Sequence, residues 1–85
     1  MRLDKFLKES RLIKRRALAK MACEAGKVLV NGRVGKPSTE VQPGDFLVLE
    51  RGSRRLKLEI VALQDKTPAG ETRKLYRVAG EEADA

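Results

Sequence analysis

The sequence predicts an α+β fold: two N-terminal helices packed on a small, mostly antiparallel sheet. Three observations carry that expectation. Apolar residues recur at helical spacing up to Ala25, the spacing becomes strand-like from Val28, and Asn31-Gly32 is a strong short-range hairpin signal. With 85 residues the chain is expected to form one domain, over residues 1–80. A chain this short buries only about 60% of the surface its unfolded form exposes, which leaves no space for a large enclosed active site beside the core.

The first helix is expected over residues 2–9, where Leu3, Phe6 and Leu7 make one apolar face and Asp4 suits the positive end of the helix dipole. The second is expected over residues 14–25, with Ala17, Leu18, Met21, Ala22 and Ala25 as its apolar side; Leu3, Leu7, Leu18, Met21 and Val30 are expected in the core. Gly26 follows where the chain needs a left-handed residue to leave a helix. Strands are expected at Val28–Val30, at Phe46–Glu50 after the Pro43-Gly44 turn, at Leu56–Ile60 and at Leu75–Val78. Residues 65–72 read as a loop, and residues 81–85, with Glu81, Glu82 and Asp84, as an acidic disordered tail.

The net charge is +7, unevenly spread. Residues 1–27 carry nine basic and three acidic side chains, residues 28–50 two and three, and residues 51–85 eight and six. Half of the stretch RLIKRRALAK, residues 11–20, is basic. Lys14 and Arg15 open the second helix, where the dipole disfavours cations, so a local cost is accepted there. Such a face suits phosphates. Arginine in particular forks onto phosphate oxygens and stacks on bases. A membrane surface fits less well, because the short apolar faces are needed for the core and Trp is absent.

Enzyme chemistry finds no support. Without His and with one Cys there is no zinc-ligand spacing and no nucleophile–His pair, and the glycines fall in no phosphate-loop pattern. No metal or other cofactor is expected. Cys23 reads as an inert buried thiol in a reducing compartment, and the chain, lacking a long apolar run, as cytoplasmic. Asn and Gln are absent from both helices, so recognition through Arg and Lys favours backbone and shape, the kind of target folded RNA presents.

The segments RLDKFL (2–7), KRRALAKMACEAGKVLVNGR (14–33), KPS (36–38) and VQPGDFL (41–47) resemble the S4-type RNA-binding domain family, closely over about residues 1–50. Arg15 departs from the family pattern, where Ser is frequent, and Cys23 stands where an aliphatic residue is commoner. The resemblance implies an S4-like fold with the αL-type RNA-binding motif, and a surface made by the two helices and the following strand. It implies phosphate contacts from Arg2, Lys5, Arg11, Lys14, Arg15, Arg16 and Lys20, with Asn31 and Gly32 shaping the loop that meets RNA. Asp4 either orients a neighbouring Arg or caps the helix.

Short stand-alone bacterial members of the family imply a factor of ribosome-associated quality control. Its partners would be large-subunit rRNA and peptidyl-tRNA on an obstructed large ribosomal subunit, and a tailing factor of the RqcH type that adds C-terminal alanine. The chain would act as a monomer away from membranes. Two alternatives stay open: a heat-shock-type factor that recycles or assembles free large subunits, and a protein-interaction module whose basic face is merely solvated.

Overall fold

The computed structural model describes residues 1–63 and 75–83. Two helices, α1 (Leu3–Glu9) and α2 (Arg16–Glu24), precede five strands: β1 (Val28–Val30), β2 (Arg33–Val34), β3 (Phe46–Arg51), β4 (Arg54–Ile60) and β5 (Tyr76–Ala83). The strands form one sheet in the order β2-β1-β3-β4-β5, with every neighbouring pair antiparallel. The expected architecture is present. The expected loop at 65–72 lies outside the described residues.

At seven residues α1 is too short to persist alone, so packing must hold it. Leu3, Phe6 and Leu7 are fully buried, each worth about 1.5–3 kcal/mol relative to exposure. The start of α1 needs no side-chain cap at Arg2 because a loop supplies acceptors. The Leu3 amide donates to the Thr39 carbonyl at 2.8 Å and the Asp4 amide to the Pro37 carbonyl at 3.1 Å. This satisfies amides that a helix start otherwise leaves unpaired, and it straps residues 37–39 to the N-terminus.

The core continues through Leu12, Ala19, Cys23, Val28 and Val41 to Leu47 and Leu49 on β3, Leu58 and Ile60 on β4, and Leu75. Alternate residues of β3 and β4 face the helices, as a half-buried strand requires. Asn31 (φ 50°) and Gly32 (φ 85°) form the β1–β2 turn, both in the left-handed region that a two-residue hairpin needs. Gly35 lies directly on α1: a Cβ there would sit 2.6 Å from Leu3 Cδ2 and 3.0 Å from Val30 Cγ2.

Two expectations are overturned. Leu18 and Met21 are not core residues; they are 48% and 64% exposed, and Ala17 and Ala25 are exposed beside them. The buried face of α2 is Ala19 and Cys23, small side chains that let the two helices approach closely. Residues 81–83 are not a tail, because β5 runs through them. Glu82 pairs with Arg55 and Glu81 with Leu56 in the ladder, and Arg54 Nη1 lies 3.5 Å from Glu81 Oε1. The acidic residues lie along the cations of β4, where opposite charges on neighbouring strands favour pairing. No helix of the described residues is long and apolar enough to cross a membrane.

Candidate nucleic-acid interface

Asp4 is the hub of the basic face. Its carboxylate is almost completely buried, and Arg2 and Arg16, both half-exposed, converge on it. Arg2 donates through Nε to Oδ1 and through Nη2 to Oδ2, each at 3.2 Å, a two-pronged fork. Arg16 Nη2 donates to Oδ1 at 3.5 Å, and the Lys5 amide donates to the same oxygen at 2.8 Å. Burial alone would raise the Asp4 carboxyl. The hydrogen bonds from Arg2, Arg16 and the Lys5 amide, with the attraction of the Arg16 charge, outweigh it and hold the group below its ordinary value. Asp4 therefore stays ionised and fixes two guanidinium groups.

Those two side chains remain half-exposed. Arg2, Lys5 and Arg16 line one open groove of about 810 Å³, bounded by Pro43 and by Val61, Ala62 and Leu63. Its single carboxylate among the described residues is Glu40. The arrangement offers concentrated positive charge and directional N–H donors, which suit the binding of an anion.

The other expected residues are spread around this centre. Lys20 is on α2 but lines an adjoining groove, which it shares with Arg2. Lys14 and Arg15 are exposed in the segment before α2; Arg15 is the helix N-cap residue and makes no side-chain cap. Arg11 follows the end of α1 with φ 62°, a left-handed conformation unusual for a side chain of this type. Asn31 and Gly32 are at the hairpin turn, and the Asn31 side chain is engaged within the protein. Its Nδ2 donates to Asp45 Oδ1 at 3.1 Å and its Oδ1 accepts from the Phe46 amide at 2.9 Å. The NGR and PGD segments are thus two halves of one connected pair of turns.

Two contributors escaped the sequence reading. Arg51, at the end of β3, donates through Nη2 to the carbonyl of Leu12 and so ties the basic inter-helix segment to the sheet. A contact between residues 39 apart leaves no periodic signal. Asp45 was visible only as part of a turn, although it also braces Gln42 through a 2.9 Å bond. Cys23 is buried, and its thiol is pushed up to about 11 by desolvation first and then by the charges of Asp4 and Glu24. It is a packing residue with little thiolate near neutrality.

An S4 domain model matches residues 1–47. A protein of Halalkalibacterium halodurans named "RQC P-site tRNA stabilizing factor" is 50% identical over 82 residues, covering 96% of this chain and 93% of the relative. One of the same name from Bacillus subtilis is 44% identical, covering 96% and 95%. Among solved structures, that described as the "Trimeric structure of Vibrio cholerae Heat Shock Protein 15" superposes with a TM-score of 0.83 at 38% identity, covering 93% of this chain and 81% of that one.

Proposed function

Given that the chain belongs to the S4 domain family, we propose that it is a non-catalytic RNA-binding factor of bacterial ribosome-associated quality control. It binds large ribosomal subunits obstructed by peptidyl-tRNA and contacts rRNA and tRNA together. The observation that carries this reading is the near full-length match to relatives whose name states stabilisation of P-site tRNA.

The geometry supports a mechanism. Arg2 and Arg16, fixed by Asp4, are the rigid centre, and Lys5, Arg11, Lys14, Arg15 and Lys20 extend the positive surface around them. Asn31 and Gly32 act by shaping a loop rather than by offering free donors. Binding two RNA segments at once favours one tRNA position over others, which is a population shift and not a chemical step. That position is the one from which a tailing factor of the RqcH type extends the stalled chain with alanine. The site of action is the cytoplasm.

A second reading is favoured by the likeness to heat shock protein 15: a factor acting on free large subunits in recycling or assembly. Gradient sedimentation of gently lysed cells separates the two. The quality-control reading requires the protein to travel with large subunits that carry peptidyl-tRNA. Travel with empty large subunits supports the second reading, and migration at the top of the gradient at low salt removes both.

A further inference from the structure

Arg2 stands on the wall between two grooves. One holds Lys5 and Arg16. The other, about 490 Å³, runs between α2 and residues 34–38 and is lined by Lys20, Glu24, Lys36, Pro37 and Ser38. We propose that this second groove is a phosphate site for an RNA segment other than the one held at Lys5 and Arg16, with Lys36 and Lys20 as its cations. The inference rests on the RNA-binding reading and deepens it.

Charge is the first argument. Arg2, Lys20 and Lys36 line the groove against one carboxylate, Glu24. Lys20 and Lys36 have no ion-pair partner among the described residues, in contrast to Arg54, Arg55 and Arg77, which pair with Glu81, Glu50 and Glu59. Cations kept unpaired beside one another repel until an anion arrives. Glu24 sets the limit of the groove, since a phosphate placed against it would be repelled.

Preorganisation is the second. The Lys36 amide donates to Thr39 Oγ1 at 2.8 Å and the Thr39 amide to the Lys36 carbonyl at 3.0 Å, closing a small turn. Its residues Pro37 and Thr39 accept the Asp4 and Leu3 amides, and Gly35 rests against Leu3 with no space for a Cβ. The backbone of Lys36 is therefore held to the start of α1, next to Arg2. A cation on a fixed backbone loses less freedom on binding than one on a loose loop. This gives the segment KPS a role that its sequence alone does not reveal.

Two segments in two grooves make a specific pattern. The probes are purified large ribosomal subunits, with and without tRNA in the P position. The full chain, Lys5→Gln and Lys36→Gln are titrated against both over a range of salt. Lys36 is exposed, so its replacement leaves the fold intact, which circular dichroism checks. Each variant is expected to lower the slope of log affinity against log salt by about one in the preparations that present its RNA segment. The variants are expected to diverge: one weakens binding to both preparations by the same factor, while the other removes only the gain conferred by tRNA. If Lys36→Gln matches the parent in both preparations while Lys5→Gln is weaker, the second groove holds no phosphate and the inference falls. If both variants change the same quantity, a single strand crosses Arg2 and the two-segment assignment falls. If the parent binds neither preparation, the RNA reading itself falls and takes this inference with it.

Discussion

Asp4 and Arg16, twelve residues apart in sequence, meet at 3.5 Å across the packing of α1 on α2. The pair couples fold to function. It orients an arginine at the opening of α2, and it sets the rotation of that helix. For Arg16 to reach Asp4, the face that also contains Ala19 and Cys23 must look inward. Leu18 and Met21 are then left outside.

Removing the charge of Asp4 should be felt in stability and in its pH dependence. Asp4→Asn removes a buried anion that accepts from two half-exposed guanidinium groups and the Lys5 amide, and a cost of about 1–3 kcal/mol is expected. Because the folded carboxyl lies below its ordinary value of 3.8, its contribution is present above that value and is lost as pH falls through the folded value. Urea unfolding between neutral and acid pH should show the parent losing more stability on acidification than Asp4→Asn. Parallel curves would remove Asp4 from this role.

Gly35→Ala tests the strap on the N-terminus. The new methyl collides with Leu3, which is fully buried, and with Val30. Overpacking of this kind costs about 1–3 kcal/mol, and the midpoint of urea unfolding should fall accordingly.

Leu18→Ala separates the observed phase of α2 from the one its apolar pattern suggests. A core leucine loses about 2–5 kcal/mol on truncation. At its observed exposure, Leu18 should lose less than about 1 kcal/mol. A loss in the core range by thermal or urea unfolding would contradict the packing described.

Arg11 occupies a left-handed position at a cost of about 1–2 kcal/mol relative to an ordinary conformation. Arg11→Gly relieves that cost, while glycine adds freedom to the unfolded chain. The variant should be no less stable than the parent but should bind RNA with a salt slope lower by about one. Unchanged RNA affinity would mean that Arg11 is there for another reason.

Local periodicity made much of the fold legible. The Leu3–Phe6–Leu7 face, the Asn31-Gly32 turn and the alternation through Leu47, Leu49, Leu58 and Ile60 each follow from neighbours a few residues apart. The phase of α2 did not, because its larger apolar residues point to one side and its tertiary partner demands another. The end of β5 was hidden for a similar reason: Glu81 and Glu82 read as a solvated tail until the folded sheet sets Arg55 opposite Glu82 and brings Arg54 to Glu81. In the candidate site, Arg2, Lys5 and Arg16 were visible as charge and come together in one groove. Arg51 on the Leu12 carbonyl and Asp45 on Asn31 depend on contacts that only the folded chain creates.

The central claim is that the face organised by Asp4 binds RNA through phosphates. Its most direct test is the affinity of the parent and of Arg16→Ala for purified large ribosomal subunits as salt is varied. If about five phosphates are neutralised, the parent should show a slope of log affinity against log salt near −4, with Arg16→Ala shallower by about one. A flat dependence for the parent, or equal affinity of the two proteins at every salt concentration, would contradict the account.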